Sequence, residues 1–173
     1  MILMALARES FTSGLYLLLS INIILIGKNK DSWVTEGCTH YEKLLSRFTN
    51  LNWLVIVPPK KISFLSPAEI KAKEGKLIIQ TISKGTVIAL ADSGKKVDSH
   101  HFADLLDKLH TSSGGTINMI IGGAYGLDQT VIDKAELVLS LSSLTFSHQL
   151  VRLVLLEQLY RAFSILHNTD YHK

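Results

Sequence analysis

Five short apolar runs punctuate this chain, and between them the apolar residues fall at helical spacing. Ile21-Asn22-Ile23-Ile24-Leu25-Ile26 is almost continuously hydrophobic and stops at Gly27. That pattern predicts a parallel strand covered on both faces. Residues 51–57 form a second run, halted by Pro58-Pro59, and residues 86–92 a third, ending in a turn at Ser93-Gly94-Lys95. Residues 116–121 and 137–141 complete the set. Trp33, Gly37, Tyr41, Leu44, Leu45 and Phe48 recur as one helical face, with Asp31 or Ser32 as the cap. Ser66-Pro67-Ala68-Glu69 combines a capping serine, a proline suited to the first helical position and a glutamate that closes a capping box. Ile70, Leu77, Ile78 and Ile82 form the buried stripe of that helix. Ser99 is the expected cap of the next, which carries Phe102, Leu105, Leu106 and Leu109, and a short helix opens at Asp128. Strand and helix alternating in this way predict an α/β domain with a mostly parallel sheet and helices on both faces.

The last helix, from about Ser147 to Leu166, is apolar around most of its circumference. A helix with so little polar face must be covered on two sides. At the end of a chain this small, the second cover is expected to be another copy, in a C2 homodimer.

At 173 residues the chain is expected to be one domain. Its 47% apolar and 19% charged content exclude disorder. A single cysteine, Cys38, cannot form an internal disulfide, which points to a reducing, cytoplasmic setting. The net charge of +3 permits an anionic partner without demanding one. Lys60, Lys61, Lys71, Lys73, Lys76 and Lys84 cluster in one stretch, readable as a solvated face or as a nucleic-acid contact. Residues 15–26 are apolar apart from Ser20 and Asn22, about 12 residues where a bilayer span needs roughly 20. No membrane role is expected, and no metal.

Two loops carry the chemistry. Ile120-Ile121-Gly122-Gly123-Ala124-Tyr125-Gly126 is a strand stopping at a turn whose backbone can approach a ligand closely. The spacing is not the dinucleotide G-x-G-x-x-G, and a Walker lysine is missing. The second loop, from Leu141 through Ser142, Ser143, Leu144, Thr145 and Phe146, offers main-chain groups and apolar side chains without any charge. Leu90, Leu141 and Leu144 suit a flat uncharged ring such as adenine. Loops at the carboxyl ends of strands are where an open α/β sheet places its ligand.

These same residues carry a resemblance. Ile121-Gly122-Gly123-x-x-Gly126, the loop ending at His148, Leu150-Val151-Arg152, Glu157-Gln158-x-Tyr160-Arg161-Ala162 and the closing Tyr171-His172-Lys173 resemble the SPOUT-class ribosomal RNA large subunit methyltransferase H (RlmH) family. The likeness is dense over the last third and looser from Ile21 to Lys96. Residues 1–20 lie outside it and are expected to be an extension of a single domain at 21–173. The resemblance implies a C-terminal deep trefoil knot, a homodimer, and S-adenosylmethionine as cofactor. Its binding positions fall on Leu90, Gly122, Leu141, Ser142, Ser143, Leu144, Thr145 and Phe146. The implied reaction is methylation of N3 of a pseudouridine in large-subunit (23S) ribosomal RNA, on the assembled ribosome. Such a transfer needs positioning and removal of the N3 proton. His148 and His172 are the candidate acceptors, with Tyr171 and Arg152 in the matching motifs. Arg152 and Arg161, nine apart on one helix, point in opposite directions, so one can face the cofactor and the other the RNA or a partner. The rival readings are a non-catalytic RNA- or ribosome-binding protein that retains the knotted fold, and a Rossmann-type nucleotide enzyme.

Overall fold

A computed structural model describes residues 19–59, 64–112 and 115–171. The elements follow in strict alternation: β1 (Ser20–Ile26), α1 (Ser32–Leu45), β2 (Asn50–Ile56), α2 (Pro67–Thr81), β3 (Thr86–Lys96), α3 (Ser99–Ser112), β4 (Thr116–Ile121), α4 (Gln129–Lys134), β5 (Leu137–Ser140) and α5 (Leu150–Leu166). The five strands form one sheet in the order β2-β1-β4-β3-β5, and every pairing is parallel. This order is consistent with the trefoil crossing that the resemblance implies. The first strand opens at Ser20, one residue ahead of the expected start, and Leu19 before it is fully buried.

The apolar runs of β1 to β4 are split between two cores by the period of two along a strand. Ile21, Ile23 and Leu25 of β1 join Ile117, Met119 and Ile121 of β4 on one face, under α1, α3 and α5. Ile24 and Ile26 join Ile120 and Val87 on the other, with Ile78 of α2 and Val131 of α4. The second face also holds three asparagines in register, since Asn22 pairs with both Asn52 and Asn118. Asn22 Nδ2 donates to Asn118 Oδ1 at 3.1 Å, Asn52 Nδ2 donates to Asn22 Oδ1 at 3.2 Å, and Ser83 Oγ donates to Asn118 Oδ1 at 2.9 Å. Asn118 Nδ2 returns a bond to Ser83 O at 3.1 Å. A slip of one residue would swing these amides into the larger core, so the row pins the register.

The helix ends follow local chemistry. Ser66 caps α2 in the full capping box with Glu69, as its sequence predicts. The cap of α3 is a correction: Asp98, not Ser99, accepts from His101 N at 2.8 Å, and Ser99 is the first helical residue. A carboxylate at that position also favours the helix dipole. Asp31 stands at the cap of α1 but its side chain makes no capping bond.

The final helix α5 begins at Leu150 rather than Ser147, whose Oγ accepts from Leu150 N at 3.2 Å. It is covered on two sides, as its pattern requires, but both covers come from this chain: α1 and α3 flank it. The circumference of α5 therefore does not by itself call for a second copy. A half-buried stripe remains at Leu150, Val154, Gln158, Arg161 and Ile165.

The asparagine row yields a stability prediction. Asn118→Ala removes the acceptor and donor on which Asn22 and Ser83 converge, leaving buried polar groups short of partners. Chemical denaturation should show a loss of about 2 kcal/mol.

Candidate functional site

Three loops meet at the carboxyl end of the sheet, and each is shaped by a local requirement. After Ile121 the chain doubles back, with Gly126 N donating to Gly123 O at 3.1 Å. Gly126 takes φ +81°, a conformation that L side chains resist. Gly122 is demanded by proximity instead, because a Cβ there would lie 2.7 Å from the carbonyl carbon of Gly126.

The second loop comes from β3. Leu90 pairs with Leu139 of β5, and so does Lys95, so residues 91–94 leave the strand and return to the same partner. A Cβ on Gly94 would stand 2.6 Å from the carbonyl carbon of Leu139, which closes the excursion tightly on β5. The sequence reading ended the strand before this turn; the strand instead resumes through Lys96.

The third loop leads from β5 to α5 and is held by its own hydroxyls. Ser140 Oγ donates to Ser142 O at 2.8 Å, and Ser142 Oγ accepts from Leu144 N at 2.9 Å. Leu144 at its tip is 74% exposed.

Between the loops lies a cavity of about 530 Å³. Its size falls in the range of about 300–1,000 Å³ typical of small-molecule sites. Leu90, Gly122, Leu141, Ser142, Leu144, Thr145 and Phe146 line it, and so does His148; Ser143 does not. Glycines, apolar residues and uncharged polar residues make up most of the wall. The charged groups on it are few: Lys71 of α2, Asp92 of the β3 excursion and His148.

His148 is half-buried beside the start of α5. Burial pulls its imidazole below the ordinary value of 6.5, and the cations of Arg152 and Lys30 push the same way. Neutral imidazole is therefore the favoured form, and it can accept a proton.

Arg152 faces away from the cavity. It is 2% exposed, and its guanidinium donates to neutral oxygens. Nε donates to His148 O at 3.0 Å, Nη1 to Asn29 Oδ1, and Nη2 to Ile26 O and Gly27 O at 3.1 Å each. The guanidinium thus ties the end of β1 to the turn that carries His148. Arg161, half a helical turn out of phase, bonds Glu157 and lies 5.0 Å from the centroid of the Tyr171 ring.

Tyr171 is at the opposite end of α5 from the cavity. Its hydroxyl is 3.0 Å from that of Tyr41 and donates to Glu157 Oε1 at 3.2 Å. Burial and these partners raise its phenol well above the usual range. His172 lies outside the described residues, as do Lys60 and Lys61. Among the described residues no group of three or more His, Cys, Asp or Glu is placed to hold a metal ion, and no helix is long and apolar enough to cross a membrane.

Two parts of the wall escape the sequence reading. Ala91, Asp92 and Ser93 read as a strand end and a turn, although a strand that stops beside Gly94 is a plausible bulge. Lys71 reads as one of a lysine cluster, yet it shares a helical stripe with Glu74 and Ile78 at positions i, i+3 and i+7. That spacing is the signal that separates it from Lys73 and Lys76, which are exposed.

Comparison with known proteins places this geometry. Residues 19–172 match the family model described as predicted SPOUT methyltransferase. A Clostridium botulinum protein named ribosomal RNA large subunit methyltransferase H is 41% identical over 159 residues, covering 90% of this chain and 100% of its own length. Its namesake from Acetivibrio thermocellus is 36% identical over 157 residues, covering 88% of this chain and 99% of its own. The crystal structure of a probable methyltransferase from Bordetella pertussis Tohama I superposes with a TM-score of 0.55 at 11% identity, over 86% of this chain and 96% of that one. That last likeness is of fold.

Arg152→Met should leave Ile26 O, Gly27 O and His148 O buried without donors. The expected cost is about 2–4 kcal/mol in chemical denaturation. The His148 imidazole should titrate closer to its ordinary value in proton NMR, because a neighbouring cation has gone.

Proposed function

The chain belongs to the SPOUT methyltransferase family, and from that premise we propose that it transfers a methyl group from S-adenosylmethionine to N3 of a pseudouridine in large-subunit (23S) ribosomal RNA, on the assembled ribosome. One observation carries the reading. Loops from the ends of β3, β4 and β5 converge on one cavity whose lining residues are mostly uncharged.

The residues present fit such a donor. The missing Cβ of Gly122 lets the turn close onto its own Gly126 backbone at the cavity wall, and Leu90, Leu141 and Leu144 offer apolar contact to a flat ring. Amides and carbonyls of residues 141–146 can read the ring edge. When bound, the donor supplies an electrophilic methyl on a sulfonium. The chain's own work is then to orient, to exclude water and to move one proton. His148 lines the cavity in its neutral form, which suits it to accept the N3 proton. Arg152 acts through His148 by fixing its carbonyl and the adjoining turn. His172 and Tyr171 are assigned to the same centre through the family motif.

A homodimer is part of the proposal. Tyr171 packs against Arg161, and the ten steps from Val151 to Arg161 rise about 15 Å at 1.5 Å each. A second copy apposed along the half-buried stripe of α5 would bring one tail toward the other cavity. The exposed Leu144 and Trp33 lie on elements adjoining that stripe and supply apolar surface for it. The substrate contacts follow the usual division of labour, with lysines and arginines holding phosphates and the base pocket giving specificity.

Calorimetric titration with S-adenosylmethionine tests the cavity. The wild-type chain should bind, and Gly122→Val should abolish binding, because its Cβ has nowhere to go; a non-catalytic RNA-binding protein would bind nothing in either form. Deleting residues 171–173 should spare donor binding and remove methylation, as read by mass spectrometry of ribosomal RNA. Unchanged turnover in that deletion would end the assignment of the tail.

A further inference from the structure

Beneath the glycine loop, and absent from the mechanism above, is a carboxyl group in an unusual position. Glu74 of α2 is 5% exposed, and its Oε2 is sealed from solvent with no hydrogen-bond partner. The group lies directly under Gly123, since a Cβ built there would stand 2.5 Å from Oε2 and 2.9 Å from Oε1. Gly123 belongs to the loop that lines the cavity. A buried polar atom without a partner is uncommon and expensive, so this one invites an explanation.

We propose that Glu74 is a positioning residue for the methyl-donor site, its neutral carboxyl supporting the Gly122–Gly126 turn in the shape that receives the donor. The inference rests on the reading of the cavity as that donor's site. An ionised Glu74 would be a desolvated charge with no counterion. Lys71, one turn earlier on α2, lines the cavity but forms no ion pair with it among the described residues. Asp128 lies against the neighbouring Gly75, yet its carboxylate is engaged by Thr130 N and Oγ1. Tyr125 on the loop is exposed. From β1 and β2 the same face offers Ile24, Ile26, Leu54 and Ile56. Burial accordingly raises the Glu74 carboxyl above its ordinary value of 4.5. The protonated group can donate to a loop carbonyl, whereas the ionised group forces charge against packed backbone and displaces the turn.

Two measurements on the full chain separate the possibilities. The first titrates S-adenosylmethionine into wild type and Glu74→Gln by calorimetry, from the ordinary carboxyl value of 4.5 upward. Wild-type affinity should fall by about tenfold across that range, the size expected for one group shifting by about one pK unit on binding. Glu74→Gln, which is neutral throughout, should keep the low-pH wild-type affinity within about twofold and lose that fall. His148 also titrates on the cavity wall, so the difference between the two proteins is the diagnostic quantity. A Glu74→Gln protein that binds at least about tenfold more weakly at low pH, or two superimposable profiles, would overturn the inference.

The second measurement needs no donor. A carboxyl raised in the folded state contributes its stability fully below pH 4.5 and loses it as pH rises toward the folded value. Denaturation midpoints of wild type should therefore decline relative to Glu74→Gln through that window, and parallel midpoints would also refute the inference. Wild type that binds no donor at any pH, while the midpoints diverge, would instead sink the donor reading of the cavity and with it the role proposed for Glu74.

Discussion

The ligand end of this sheet depends on one residue of β5 that is partnered twice. Leu139 pairs with Leu90 before the β3 excursion and with Lys95 after it. The four residues between are thereby pinched into a loop whose base is a single main-chain position. Close contact of Gly94 with Leu139 keeps the pinch shut. The cavity exists because this wall, the turn after β4 and the loop after β5 are anchored on three adjacent strands, with β3 between the other two. Backbone occupies the places where side chains would otherwise fill the space.

Support for that end comes from both layers. On the α5 side a buried guanidinium with neutral partners ties the end of β1 to the turn at His148. Its cation is not cancelled by a carboxylate, and carbonyl dipoles stabilise it instead. Behind the opposite wall a carboxyl with no cation presses on Gly123. Each group is costly alone in low dielectric, and each is spent on holding a loop that contacts the cavity. The two are not partners of one another, so the site is braced by two separate electrostatic arrangements.

The fold was legible in the sequence to the extent that period and punctuation encode it. Continuous runs at 21–26 and 116–121 announced central parallel strands, and Ser66 with Glu69 announced the start of α2 to the residue. The cap of α3 was misplaced because Ser99 and Asp98 are adjacent and both can cap; only the backbone decides. What covers α5 is legible only in part, for a deeper reason. A circumference pattern states how many sides are buried but not which chain buries them. The cavity followed from glycines and an uncharged loop, whereas Ala91–Ser93 did not, since a strand that leaves and rejoins the sheet has no periodic signature; Lys71 was hidden among neighbouring lysines and is marked only by its place on the α2 stripe with Ile78. Glu74 was invisible as well. Nothing in a Lys-Glu-Gly triplet says that its carboxyl will be roofed by a loop almost fifty residues further on.

The asparagine row at the far end of the sheet has a consequence for assembly. Parallel strands β1, β2 and β4 meet only across long stretches of chain, and such contacts are slow to form. Apolar strands as uniform as these could align in several ways at nearly equal energy. A one-residue slip of β1 against β4 would part the buried amides of Asn22 and Asn118. The polar rung therefore favours one alignment of β1 with β4 before the loops at the other end have anything to shape.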